Sequence, residues 1–260
     1  MKNKEIRKIA KEKMKGKLGK AIGITLLYGI IMSMIAWILK IIPGVGNILS
    51  SIVSSVISVP LAFGWMKQLI ELANGEEVGI VDFLKHGFDN FGKVWMSNLR
   101  IVLKCMVSIL LIIVGAVLMG MLTNPLIGIV IMAGAAIWMV IVVLKYAMLN
   151  YTIAYDSEDL KAKELVEKAE NDGKGKIGKF ICMSIYYGLQ VIAVYFIAVI
   201  LASAISVLSN NLVVATLSIV LAYVISAVFA LIYSIQNIFA CNEFYKIRVL
   251  NKEEEVISTH

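Results

Sequence analysis

The sequence predicts an all-α, polytopic membrane protein with six transmembrane helices, and three observations lead to that prediction. Its 260 residues are 60% apolar and have a mean hydropathy of +0.85, whereas about half of the residues of a soluble domain are apolar. The apolar residues form six runs of about 20, the length that crosses roughly 30 Å of hydrocarbon. When these runs are taken as spans, all of the 25 Lys and Arg residues except Lys40 fall on one side of the membrane.

The six predicted spans are separated alternately by tight turns and by long basic segments. They are Ala21–Leu39, Ile48–Met66, Ile101–Leu122, Leu126–Met148, Phe180–Leu208 and Leu212–Asn237. Because lysine-rich segments remain in the cytoplasm, both termini and both long segments are expected there. We expect the first run to be an uncleaved span, since it is too long for the apolar region of a signal peptide.

A short interfacial or cytoplasmic helix is predicted before each pair of spans. In residues 3–18, Ile6, Ala10, Met14 and Leu18 recur every four positions among lysines, as in a helix that lies on an anionic leaflet. In residues 82–95, aromatic side chains share one side and suit the membrane interface. Residues 157–171 form a more acidic helix, which we expect to pack on protein.

A threefold internal repeat is predicted to organise these elements. Gly16–Ile30 aligns without gaps on Gly175–Leu189, and Phe91-Gly92-Lys93 stands at the equivalent place before the third span. We therefore predict three repeated helical hairpins: repeat 1 covers residues 1–73, repeat 2 covers 74–154, and repeat 3 covers 155–247, followed by a cytoplasmic tail at 248–260. In each Gly-Lys elbow, glycine lets the backbone turn into the membrane, and the lysine stem stays in the apolar layer while its ammonium reaches phosphate.

Two sets of basic residues are predicted to contact lipid headgroups. The elbow set is Lys17, Lys20, Lys93, Lys176 and Lys179. Lys104 and Lys145 lie about one turn inside the membrane, where snorkelling to the headgroups explains them most simply. The sharper hypothesis is that these two lysines clamp one anionic headgroup, because a charge inside a membrane often has a function.

Three serines of the second span permit two interpretations. Ser51, Ser55 and Ser58 share one side of the predicted helix. Small hydroxyl residues let helices pack closely and bond to backbone carbonyls. The alternative is that they line a polar path through the membrane.

The motifs that indicate catalysis or metal binding are incomplete. Gly173–Lys179 matches the start of a phosphate-binding loop, but Phe180 stands where Ser or Thr would coordinate magnesium. We expect no catalytic residues, no metal and no cofactor. The three cysteines are expected to be free thiols that pack among apolar side chains. An enzyme remains an alternative only if Asn150, Asp156, Glu243 and Lys145 converge.

Several segments resemble the bacterial integral membrane family catalogued as domain-of-unknown-function family 975. The resemblance lies in Ile9–Ala21, in Val59–Gly64 continuing through Asn74–Val78 to Asp82-Phe83-Leu84, and in Tyr146–Tyr155 continuing to Lys179-Phe180. It implies a six-helix, all-α protein of the bacterial cytoplasmic (inner) membrane, of a kind common in Gram-positive bacteria. It implies no activity and no catalytic residues.

Together these patterns favour a non-enzymatic membrane protein whose basic elbows bind anionic phospholipid, shape the bilayer or support a membrane complex. The alternative is a transporter, permease or self-protection exporter for a small or amphipathic molecule. A membrane-protein partner or a homo-oligomer is compatible with both hypotheses, whereas nucleic acid is not an expected partner, since the basic segments adjoin the membrane.

Overall fold

The structure is a computed structural model that describes residues 1–41, 47–121, 125–156, 159–209 and 211–251, with side chains throughout these ranges except at residues 40–52. Ten α-helices and one short π-helical turn account for nearly all of this described chain, which contains no β-strand. The helices are α1 (Asn3–Met14), α2 (Leu18–Ile41), α3 (Asn47–Asn74), α4 (Asp82–Asp89), α5 (Phe91–Met121), α6 (Leu126–Lys145), α7 (Leu149–Ala154), α8 (Ala162–Gly173), α9 (Ile177–Ser209) and α10 (Leu212–Tyr245), and the π-helical turn is Lys246–Leu250.

Six of these helices, α2, α3, α5, α6, α9 and α10, are long and apolar enough to cross a membrane. The prediction of an all-helical protein with six membrane-length apolar helices is therefore confirmed. The predicted boundaries are less accurate. Helix α5 begins at Phe91, well before the predicted Ile101, and α3 continues to Asn74, well past Met66. Hydropathy marks the apolar part of a helix, whereas the backbone hydrogen bonds continue into polar sequence.

The surface of the long helices is too apolar for water. Only 6% of the apolar stretch of α2 is buried inside the protein, and the same fraction holds for α10, against 44% for α3. Large side chains such as Val207, Leu208 and Leu212 are exposed. Contiguous apolar surface of this extent requires hydrocarbon as its solvent.

The main hydrophobic core lies at one end of the molecule, which we call the basic end. There, α1, α7 and α8 pack against the first turns of α5 and α9 and the last turns of α3 and α10, while α4 packs along α3. Ile6, Phe63, Leu165 and Phe239 are among its fully buried side chains. Farther from the basic end, a small cluster of alanines joins α9 to α10. The basic end is therefore where the short helices and the ends of the long helices pack together.

The short helices show where apolar periodicity is informative and where it is not. The stripe of α8 packs on protein as expected, with Leu165, Val166 and Ala169 buried. The stripe of α1 is buried in the same core, against α3 and α10, so the prediction that this stripe faces lipid is wrong. A periodic stripe shows that one side of a helix is covered, but it does not show what covers it.

Two of the three predicted elbows share one backbone geometry. Gly16 has φ +77° and Gly175 has φ +69°, the left-handed region that a side chain disfavours. In both elbows the preceding lysine N–H donates to a carbonyl of the short helix, at 3.1 Å. Gly92 instead lies inside α5, so the middle unit enters its span differently. The threefold repeat of hairpins stays a prediction.

Candidate functional site

The predicted elbow lysines divide into two groups at the basic end, and the first group is engaged within the protein. The Lys17 ammonium donates to the Leu72 carbonyl at 2.9 Å, in the last turn of α3. A cation is favoured there because the carbonyls of the last turn carry partial negative charge. The Lys93 ammonium lies 3.1 Å from an Asp156 carboxylate oxygen and also pairs with Asp159. Lys17 thus joins the start of α2 to the end of α3, and Lys93 joins the start of α5 to the segment between α7 and α8.

The pair between Lys93 and Asp156 is partly buried. The Asp156 side chain is 1% exposed and that of Lys93 is 29% exposed. The same Asp156 oxygen accepts a hydrogen bond from the Leu160 N–H at 3.1 Å. A buried carboxylate needs such partners, since an unpaired one is strongly destabilising. The nearby Asp159 carboxylate is fully exposed, and its hydrogen bond with Lys93 lowers its pKa.

The second group of elbow lysines faces outward. Lys20 and Lys179 are exposed and Lys176 is half-buried, all at the starts of α2 and α9. Within the described part of the chain, none of the three has an ion pair. Their ammonium groups are therefore available to a ligand outside the protein.

The two lysines predicted to lie just inside the membrane have different surroundings. The Lys104 ammonium lies 4.6 Å from the ring centroid of Tyr146 and donates to its hydroxyl. That hydroxyl donates to Glu170 of α8 at 2.9 Å, and Lys104 lies 3.9 Å from the same carboxylate. Lys145 is exposed at the last residue of α6. Lys104 thus connects α5 to α8, and a clamp formed by both lysines stays a hypothesis.

The serines of the second span have mixed environments. The Ser58 hydroxyl donates to the Ser55 carbonyl at 3.3 Å, a local bond that is common for serine in helices. Ser55 is exposed, and the side chain of Ser51 lies outside the described residues. A polar path along these serines remains untested.

Two hydrogen-bond networks at the basic end were not predicted from the sequence. In the first, the Tyr155 hydroxyl donates to Asn242 at 2.6 Å, and Asn74 accepts from Asn242 at 3.1 Å and from Lys246 at 3.2 Å. Burial raises the pKa of the Tyr155 hydroxyl, so it remains a neutral donor. These residues come from three distant segments, and no spacing in the sequence indicates that they meet.

The second network surrounds a buried aspartate. Asp172 accepts hydrogen bonds from the Tyr245 hydroxyl at 2.6 Å and the Thr152 hydroxyl at 3.0 Å, so α7, α8 and α10 are connected.

The two acidic residues of the alternative enzyme hypothesis lie in separate ion pairs. Asp156 pairs with Lys93, and Glu243 pairs with Lys13 of α1 at 2.7 Å.

An open groove of about 830 Å³ lies between α1, α9 and α10 at the basic end. We call it the α1 groove. Its lining residues are Lys4, Glu5, Arg7, Lys8 and Lys11 of α1, Tyr186, Tyr187 and Gln190 of α9, and Phe229, Ile232, Tyr233 and Gln236 of α10. The Arg7 guanidinium lies 3.6 Å from the ring centroid of Tyr186. Sequence reasoning missed this groove because its walls come from three separate segments.

Comparison with known proteins identifies the family but gives no activity. The model of the family described as "Protein of unknown function (DUF975)" matches residues 1–185, which include all the segments on which the sequence resemblance depends. No curated protein and no solved structure matches the chain. The matched region covers α1 to α8 and the start of α9. The chain therefore belongs to the DUF975 family of proteins of unknown function.

Proposed function

We propose that this protein is a non-enzymatic protein of the bacterial cytoplasmic membrane that binds anionic phospholipid at its basic end, and so supports the bilayer or a membrane complex. The observation that carries the proposal is the outward-facing group of lysines, Lys20, Lys176 and Lys179, at the starts of two membrane-length helices. With the basic end in the cytoplasm, these ammonium groups lie at the level of the headgroups.

The lysines that the protein itself engages sharpen the proposal. Carboxylates inside the chain balance the charge of Lys93, and the Lys17 ammonium is hydrogen-bonded to a backbone carbonyl. The exposed lysines lack such partners among the described residues, and each cation near an anionic surface contributes about 1 kcal/mol of attraction. Lipid binding is therefore assigned to Lys20, Lys176 and Lys179, and a structural role to Lys17 and Lys93.

Lipid-dependent thermal unfolding in a neutral detergent tests this assignment. A ligand that binds only the folded state raises its stability by an amount set by concentration and affinity. We expect phosphatidylglycerol to raise the Tm of the wild-type protein more than phosphatidylcholine does. The triple variant Lys20→Gln, Lys176→Gln, Lys179→Gln should lose a measurable part of this difference in Tm between the two lipids.

A matched control removes three lysines from α8 instead. Lys161, Lys163 and Lys168 belong to that helix or its cap, and none lies at the start of a long helix. Their replacement by glutamine changes the net charge equally and should leave the lipid effect in place. Equal losses in both variants would show a general charge effect and contradict the assignment. A tightly retained non-lipid molecule in the purified protein would favour the transporter alternative.

A further inference from the structure

We propose that the α1 groove is a binding site for one anionic phospholipid, with the phosphate held by the lysines of α1 and the start of the acyl chains lying against α9 and α10. This proposal rests on the proposed function, because it names one place at the basic end where the lipid binds. It is independent of the lysines at the starts of α2 and α9.

The charge of the groove is complementary to an anionic headgroup. Among the described residues that line it are four cations, Lys4, Arg7, Lys8 and Lys11, and one carboxylate, that of Glu5. Glu5 also caps its own helix, since its carboxylate accepts the Lys2 backbone N–H at 2.8 Å. Lys4, Lys8 and Lys11 are exposed and have no ion pair within the described chain. A phosphate in this groove would meet an excess of cations.

The opposite wall of the groove suits the amphiphilic part of a lipid. Tyr186, Tyr187, Phe229, Ile232 and Tyr233 belong to α9 and α10, two helices of membrane length. The Arg7 guanidinium lies over the Tyr186 ring. The groove therefore places the cations of α1 directly against aromatic and apolar side chains of the long helices. Tyrosine rings favour this boundary between headgroups and hydrocarbon.

The size of the groove also fits such a ligand. Its volume of about 830 Å³ lies within the range of roughly 300–1,000 Å³ that is usual for small-molecule sites. That is room for a headgroup and the first part of its chains. A second groove between α9 and α10, of about 230 Å³, is lined by Tyr195, Val199, Ala202, Ser203, Ile219, Ala222 and Tyr223, so no cation lines it within the described part of the chain. The α1 groove thus differs from this second groove because it combines cations with apolar surface.

Helix α1 is fixed in place without any ligand. Its Ile6, Ala10 and Met14 are buried in the main core. The Asn3 amide donates to the Lys179 carbonyl at 2.8 Å, and Lys13 pairs with Glu243. Lys4, Lys8 and Lys11 follow one another at helical spacing on the side that faces the groove. The site is therefore preorganised, which reduces the entropic cost of binding.

The test is a lipid titration followed by native mass spectrometry, which resolves the first lipid bound. The groove variant carries Lys4→Gln, Lys8→Gln and Lys11→Gln. Arg7 is kept because it packs on Tyr186. The α8 variant with Lys161, Lys163 and Lys168 replaced by glutamine is the matched control. Since each lysine near an anionic lipid contributes about fivefold in affinity, we expect the groove variant to bind the first phosphatidylglycerol about 100-fold more weakly.

The possible outcomes separate the groove proposal from the proposed function. If wild-type protein prefers phosphatidylglycerol over phosphatidylcholine and the groove variant retains that affinity, the groove proposal is overturned and the proposed function stands. If the wild-type protein shows no preference, both are overturned. Free glycerol 3-phosphate in excess should not displace the lipid; efficient displacement would show that the groove recognises a soluble phosphate instead.

Cross-linking locates the ligand directly and does not depend on the variants. A phosphatidylglycerol with a photoreactive group near the start of one acyl chain should label the α10 segment 229–236. Unlabelled phosphatidylglycerol should compete for this labelling. Labelling of that segment no stronger than with a photoreactive phosphatidylcholine would overturn the proposal, even if the groove variant had simply failed to fold.

Discussion

Replacing Lys93 should destabilise the protein without changing its response to lipid. The substitution Lys93→Gln leaves the Asp156 carboxylate buried, with its hydrogen bond from the Leu160 N–H still in place. Removing one member of a fully buried ion pair costs about 3–5 kcal/mol. Because Lys93 is 29% exposed, solvent screening reduces the expected loss of unfolding free energy to about 2 kcal/mol. The Asp159 pair adds little, since that carboxylate is at the surface.

A double-mutant cycle in detergent measures this coupling. Asp156→Asn removes the charge that Lys93 neutralises, so the double variant should be more stable than the sum of the two single losses predicts. We expect a coupling of about 1–2 kcal/mol from unfolding followed by circular dichroism. Additive losses, or a Lys93→Gln variant within about 0.5 kcal/mol of wild type, would refute the structural role given to Lys93.

Two further substitutions test the packing of the basic end. A Cβ at Gly64 would lie 2.0 Å from a backbone oxygen of α4, so Gly64→Ala should lower the unfolding free energy by about 1–3 kcal/mol. In the control Gly92→Ala, a Cβ meets nothing within 4 Å, so unfolding experiments should show no loss of unfolding free energy. Tyr245→Phe removes a hydrogen bond to the buried Asp172 carboxylate and should cost about 1–3 kcal/mol. Wild-type stability of Tyr245→Phe would show that this bond is dispensable.

The sequence contains the information for the long helices but only part of the information for the basic end. Hydropathy identifies six spans because each span is a contiguous segment that must itself be apolar. The α1 stripe is different, because the residues that bury it belong to α3 and α10. Those helices are far from α1 in the sequence. Periodicity therefore predicted a helix with one apolar side and assigned that side to lipid, although protein covers it.

The same limit applies to the lysines. Their position next to the spans was evident, and it suggested one common role for all five elbow lysines. The structure shows that Lys17 meets the end of α3 and that Lys93 meets Asp156. No local pattern indicates these partners, because each pair joins distant parts of the chain. The α1 groove escaped prediction for the same reason, since its lining combines residues of α1, α9 and α10.

The most direct test of lipid binding at the basic end is native mass spectrometry of the protein released gently from its own membrane. Anionic phospholipid is expected to stay bound to the wild-type protein. The Lys20→Gln, Lys176→Gln, Lys179→Gln variant should retain less of it, while the α8 control should retain the wild-type amount. A wild-type protein that carries no anionic phospholipid, or one that retains neutral and anionic lipid in the proportions of the membrane, would contradict it.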